Sequence, residues 1–186
     1  VVFDTETTGL DSNVEALTEI GAVYVENGKI NPDKSFCTFV NPGKPIPQKV
    51  VELTGINDSM VADAPTPAEA IRQFKEFCGD NILVAHNANS FDMLFIRKAG
   101  DKAGVDFSNT YIDTLPMAQA LFPGLHNYKL DTINKHLEIQ PFNHHRAVDD
   151  AMALARIFEV MLSDLKEKDM TTVEAINTGL GGNKEV

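Results

Sequence analysis

In the opening stretch VVFDTETTGL, two carboxylates, Asp4 and Glu6, interrupt residues that otherwise have the composition of a buried strand. Val1, Val2 and Phe3 are β-branched or aromatic, as in a strand covered on both faces. A strand alternates its side chains, so Asp4 and Glu6 share one face with Cα atoms about 6.6 Å apart, at roughly 3.3 Å per residue. Both can then reach one cation. The competing explanation is a strand that ends at Phe3, since Thr7-Thr8-Gly9 supplies turn chemistry. Against it stands the cost of leaving acids unpaired on a buried strand.

A third acid, Asp92, lies in AHNANSFDMLFI, a stretch that leaves an apolar strand and enters a helix. Strand ends in sheets with parallel strands are where sites collect. Asn89 or Ser90 is expected to cap that helix, with Phe91, Leu94 and Phe95 as its core face. In the first turn Asp92 also suits the helix dipole, which is a purely structural reason for an acid there. His86 and Asn87 read as loop hydrogen-bonders.

The fourth acid comes from HHRAVDDAMALARIF. Counting forward from Asp150, positions 154, 157 and 161 are Leu, Ile and Met, so Asp150 heads the stripe that packs on the sheet. Counting from Asp149 gives Ala153, Arg156 and Val160, a more solvated face. An acid on the buried face needs a partner or a metal, which singles out Asp150. His145, five residues earlier, falls roughly 140° away on a continuous helix. It therefore belongs to the loop before the helix and approaches the site from another side, as a general base could. His144 stands in the same relation to Asp149, and spacing alone does not separate the two.

The elements that must position these residues are legible in outline. Glu19 to Glu26 alternates like a strand, Asn27-Gly28 reads as a hairpin turn, and Ser35 to Val40 as the strand after it. The first three strands form an antiparallel meander. Pro42, Pro45 and Pro47 mark a loop, and Pro65 and Pro67 introduce a helix with Ala70, Ile71, Phe74 and Phe77 on one face. Ile82 to Ala85 is short and wholly apolar, as a buried parallel strand is. Helices follow from about Ser90 to Ala103, near Leu115 to Leu121, Leu130 to Leu137 and Ala147 to Leu165, with a short strand at Tyr111 to Asp113. The order predicts an α/β fold: one mixed sheet, antiparallel at its start and parallel beyond, flanked by helices. Residues 1–168 form one domain, and the glycine-containing segment 169–186 reads as a peripheral start of a linker.

The chain has 186 residues, 43% of them hydrophobic, and a formal net charge of −11. That charge excludes a broad basic face for gripping nucleic acid, because phosphate neutralisation needs clustered Lys and Arg. It does not exclude metals, which neutralise carboxylates locally. Absence of a membrane-length apolar run or signal segment predicts a soluble, cytoplasmic protein. Cys37 and Cys78 lack metal spacing and read as reduced core residues. A chain without an initiator Met that starts inside a strand suggests a piece of a longer polypeptide.

Taken together, DTE at residues 4–6, HNANSFD at residues 86–92 and HRAVDD at residues 145–150 closely resemble the three motifs of the DEDDh (DnaQ-like) family of 3′-to-5′ exonucleases. The resemblance covers nearly the whole chain and extends to ELTGI, ILVAHNA, IDTL and HHRA, in which it is similar to proofreading domains embedded in Gram-positive-type DNA polymerase III alpha chains. It implies a ribonuclease H-like fold and hydrolysis of single-stranded DNA 3′ ends to nucleoside monophosphates with two divalent ions. Magnesium or manganese suits an all-oxygen donor set. By resemblance, Asp4 bridges the ions, Glu6 and Asp150 complete the tighter site, Asp92 serves the second, and His145 takes the proton from water. Thr5, Leu10 and Phe91 seat the terminal nucleotide through the backbone near Thr5 and apolar packing, with Asn87 and Thr54 as further substrate contacts. The implied partners are a single-stranded 3′ end and a DNA polymerase in the same chain or complex.

The second motif departs from the family in one respect: His86 and Asp92 are six residues apart, where five are usual. The loop is therefore expected to bulge while Phe91 and Asp92 keep the register of the helix. Two other functions fit the same motifs: RNA trimming by a relative of the same family, and a catalytically silent module that binds polymerase or nucleic acid.

Overall fold

The computed structural model describes residues 1–139 and 146–179. In chain order the elements are β1 (Val2–Thr7), β2 (Leu17–Glu26), β3 (Lys29–Phe39), α1 (Gln48–Thr54), α2 (Asp58–Val61), α3 (Pro67–Cys78), β4 (Leu83–Ala85), α4 (Asp92–Ala103), β5 (Tyr111–Asp113), α5 (Thr114–Leu121), α6 (Leu130–His136), α7 (Ala147–Glu167) and α8 (Val173–Gly179). The sheet runs in the order β3-β2-β1-β4-β5. Its β1–β2 and β2–β3 pairs are antiparallel and its β1–β4 and β4–β5 pairs parallel, as the strand-then-alternation order predicts.

Alternation along β1 divides the interior. Phe3, with Ile20 and Ala22 of β2, faces the layer of α3 and α4, where Phe74, Phe95 and Ile96 are buried. Val2, with Val23, Val84 and Ile112, faces α7, whose Leu154, Ile157 and Met161 lie on the stripe headed by Asp150. Burying side chains of this size contributes roughly 1.5–3 kcal/mol each, so the stripe fixes α7's rotation about its own axis.

That helix comes unusually close to the sheet. A Cβ placed on Gly21 would lie 2.2 Å from the backbone of Ala147 and Val148. Only glycine leaves room there, and Gly21 is the register partner of Asp4. The first turn of α7 is thereby set directly over the strand that bears the first acid.

Several expectations are corrected. The strand predicted at Ser35 to Val40 begins at Lys29, because the Asn27-Gly28 turn leads straight into pairing with β2. Neither Asn89 nor Ser90 caps α4, whose N-cap residue is Phe91, with no side-chain capping bond. Leu94, placed on the core face by spacing, is 42% exposed, and Met93 and Ile96 are buried in its stead. Cys37 is exposed on β3 and only Cys78 is buried. In the C-terminal segment, Ile176 is buried against the α7 side of the core. Helices α1 and α2, seven and four residues long, have no counterpart in the sequence reading; elements this short show too little of a 3.6-residue period.

Candidate active site

Asp4 and Glu6 point from β1 towards the first turn of α7, and Asp150 points back at them. One carboxylate oxygen from each of the three lies within 4.8 Å of the others. The strand alternation, the glycine at position 21 and the buried stripe of α7 together produce this convergence. The three acids line a cleft of about 470 Å³, together with Thr5, Leu53 and Lys129.

The electrostatics of the cluster are those of like charges held out of water. Burial pushes Asp4 well above the usual carboxylate range, and the charges of Asp92, Asp150, Glu6 and Glu19 push it further. Glu6 is raised to about 8, first by burial and then by Asp150 and Glu19, with Arg146 opposing. A cluster of this kind costs free energy unless protons or cations neutralise it. Three hard oxygen donors within reach of one another fit a divalent cation such as magnesium or manganese.

Asp92 is buried beside this trio but held by β1. Thr5 donates both its amide, at 3.0 Å, and its hydroxyl, at 2.7 Å, to the same oxygen of Asp92. Burial raises Asp92 to about 7, against the lowering effect of the Thr5 hydrogen bonds. In the loop before it Asn87 adopts a left-handed φ of 61°. The Asn87 carbonyl accepts from the amides of Ser90 and Phe91, both at 3.1 Å. The loop bulges and Asp92 still enters α4 facing β1, as the spacing argument requires.

The other sequence-derived contacts divide. The Thr5 amide, expected to seat a nucleotide, is engaged by Asp92. The Thr54 hydroxyl is turned into the end of its own helix, donating to the Val50 carbonyl at 2.9 Å and accepting from the Ile56 amide at 3.1 Å; the adjacent Leu53, 58% exposed, faces the cleft. Leu10 is 85% exposed on the loop after β1, and Phe91 packs its ring against Phe95 with centroids 5.0 Å apart. Asn87 is exposed and its backbone organises the bulge. His145 and the competing His144 lie outside the described residues.

Two positioning groups escaped the sequence reading. Glu19 of β2 is fully buried and lies opposite Glu6 in the register. It accepts from the Arg146 guanidinium at 2.8–3.2 Å and from the Ala147 amide at 2.9 Å, clamping the start of α7 to the sheet. Its signal was present: an acid inside an apolar strand, the same anomaly that singled out Asp4. Asp113, at the end of β5, accepts from the Asn89 amide at 3.0 Å and from the Leu115 amide at 2.9 Å, tying the bulged loop to the start of α5.

His86 is likewise structural. Its Nε2 lies 2.7 Å from the Tyr128 carbonyl, which can only accept, so Nε2 carries the proton and Nδ1 accepts from the Thr114 hydroxyl at 2.9 Å. Burial lowers its pKa, opposed by the Tyr128 hydrogen bond and the charge of Asp113.

Comparison with known proteins agrees with this geometry. A segment of the PolC-type DNA polymerase III of Caldanaerobacter subterraneus subsp. tengcongensis is 47% identical over 97% of this chain, and one from the Bacillus subtilis protein is 43% identical over 97%. The chain spans only about an eighth of the length of these relatives, 13% and 12% respectively. Among solved structures, Exonuclease X in complex with 5′ overhanging duplex DNA superposes with a TM-score of 0.75 at 26% identity, covering 96% of this chain and 98% of that one. E. coli Exonuclease I in complex with a dA16 oligonucleotide shares the fold, with a TM-score of 0.76 at 16% identity over 90% of this chain and 41% of its own. The exonuclease family model matches residues 1–158, which takes in β1, the bulged loop and the first turns of α7. A match over that much of the chain shows that it belongs to the exonuclease family.

Proposed function

We propose that the chain is a divalent-metal-dependent 3′-to-5′ exodeoxyribonuclease that shortens single-stranded DNA from its 3′ end, releasing nucleoside monophosphates. In the longer polymerase that its relatives represent, it removes misincorporated nucleotides during replication in the cytoplasm. The observation that carries this reading is the convergence of Asp4, Glu6 and Asp150 within 4.8 Å on a family fold whose solved relatives hold DNA.

Two divalent ions, when bound, lower the pKa of water and stabilise the leaving oxygen, with magnesium and manganese both suited to the donor set. Asp4, Glu6 and Asp150 supply the oxygens, with Asp92 completing the set from α4. A ring nitrogen of His145 accepts the proton of the attacking water, the new P–O bond forms, and the P–O3′ bond breaks. The departing 3′ oxygen of the upstream strand takes a proton from solvent water to become a hydroxyl, and the terminal nucleotide leaves with its 5′ phosphate. Leu53, Leu10 and Phe91 offer apolar surface to the last bases, which stack on such surfaces without sequence preference.

The test is degradation of a 5′-labelled single-stranded oligonucleotide with magnesium, with manganese and with chelator, beside an RNA oligomer of the same sequence. A ladder shortening one nucleotide at a time, metal-dependent and faster on DNA, is the expected result. Faster RNA turnover would reassign the substrate, since the two differ at the 2′ hydroxyl. No turnover of either would identify a silent module.

A further inference from the structure

Among the described residues that line the cleft holding the acids, one side chain is a Lys or Arg, Lys129. It sits on the segment leading into α6, in extended conformation with φ −67° and ψ 151°, and it is exposed. Its ammonium makes no ion pair among the described residues, whereas Lys34, Lys44, Lys75 and Arg146 are paired with carboxylates. The backbone that carries it is fixed from both sides. The Lys129 amide donates to Asn127 Oδ1 at 3.0 Å, and the same oxygen accepts from the Thr132 hydroxyl at 2.7 Å. The preceding carbonyl, of Tyr128, accepts from half-buried His86 at 2.7 Å. A long flexible side chain is therefore mounted on an anchored base, beside a cleft lined by the carboxylates of Asp4, Glu6, Asp131 and Asp150 together with Thr5, Leu53 and Leu130.

On the exonuclease reading, on which this inference rests, the scissile phosphate is drawn to the acid-held cations. The terminal nucleotide ends in a 3′ hydroxyl, so the next phosphate in the strand lies one step to the 5′ side. We propose that Lys129 binds that phosphate, with His86 acting as the positioning residue that holds its segment against the end of β4. This assigns a grip on the strand to a chain with a net charge of −11, in which one correctly placed ammonium replaces a basic face. Because the contacted phosphate is not the reacting one, the contact supports ground-state and transition-state binding alike and governs KM more than kcat.

The test compares the wild-type chain with Lys129→Gln and Lys129→Arg on an oligothymidylate and on the same oligomer carrying one neutral methylphosphonate at the phosphate 5′ of the scissile one. For Lys129→Gln the expected result is a KM raised about tenfold with kcat within about twofold, and a log–log salt slope of KM smaller by about 0.7, as for loss of one phosphate contact on a single strand. Lys129→Arg should recover most of the loss. The methylphosphonate should cost the wild type the same factor and cost Lys129→Gln nothing more. Equal sensitivity of both proteins to the methylphosphonate, or a loss confined to kcat, overturns the assignment. Equilibrium binding of the oligomers to Asp150→Asn chains with and without Lys129→Gln reads the same contact without turnover. A wild type that cleaves nothing refutes the exonuclease reading, while the binding comparison still decides on Lys129.

Discussion

Thr5 and Asp92 are joined twice, the amide and hydroxyl of one residue both donating to a single carboxylate oxygen of the other at 3.0 and 2.7 Å. The paired bonds tie α4 to β1 and fix the orientation of the Asp92 carboxylate. Asp92→Ala should therefore lose activity on the scale of Asp4→Ala. Thr5→Val, which removes only the hydroxyl bond, should lose about 10- to 100-fold, as for groups that orient metal ligands. Near-normal cleavage by Asp92→Ala would show that the second motif, with its extra loop residue, no longer contributes an acid.

The raised carboxylates make stability depend on pH with a defined sign. Glu6 has an ordinary value of 4.5 and rises to about 8 in the folded chain. Its contribution is therefore fully present below about pH 4.5 and is lost as the pH climbs through about 8. Asp4 and Asp92 act in the same direction. With chelator present, the melting temperature of the wild type relative to Glu6→Gln should fall between pH 5 and pH 8, by on the order of a few kcal/mol in stability. Manganese at pH 8 should reverse the fall, because metal takes the place of the protons. A difference that is flat with pH would mean that the cluster is not strained.

Glu19 should behave as a positioning residue. It touches neither cleft nor substrate, yet it holds Arg146 and the Ala147 amide and hence the turn that presents Asp150. Glu19→Gln keeps acceptor capacity for the amide but loses the charge facing Arg146. Activity should drop about 10- to 100-fold with a parallel weakening of manganese affinity, and saturating manganese should restore part of the rate. A thermal destabilisation with unchanged metal affinity at working temperature would reduce Glu19 to a structural role.

His145→Ala should lose about 10²- to 10⁴-fold in rate, the range for a general base, while retaining metal and DNA binding. His144→Ala should change little. The wild-type rate should rise through the imidazole range, near pH 6.5 for an unperturbed ring, and that limb should vanish in His145→Ala. The larger loss in His144→Ala would shift the register of the third motif.

Much of this arrangement could be read from the chain because it rests on periodicity. Alternation placed Asp4 and Glu6 together, and the stripe through Leu154, Ile157 and Met161 chose Asp150 over Asp149. The structure confirms both placements. What escaped were relations fixed by tertiary contact. Glu19 becomes a clamp only because β2 pairs β1 in a register that sets it opposite Glu6. Leu53 reaches the cleft from a helix too short to announce itself, and Lys129 from a segment whose place depends on His86. The cap expected at Asn89 failed because its side-chain oxygen accepts from the Tyr111 hydroxyl instead, a bond between residues 22 positions apart.

The central claim is that Asp4, Glu6 and Asp150 hold the divalent ions that drive cleavage. The most direct measurement is single-turnover release of a labelled 3′-terminal nucleotide from single-stranded DNA as manganese is titrated, in the wild type, Asp4→Ala and Asp150→Asn. The account predicts saturable, chelator-reversible release by the wild type, and loss of about 10³-fold or more in both variants, since removing a ligand removes most of the ions' rate contribution. Release by Asp150→Asn at the wild-type rate and the same manganese midpoint would contradict it.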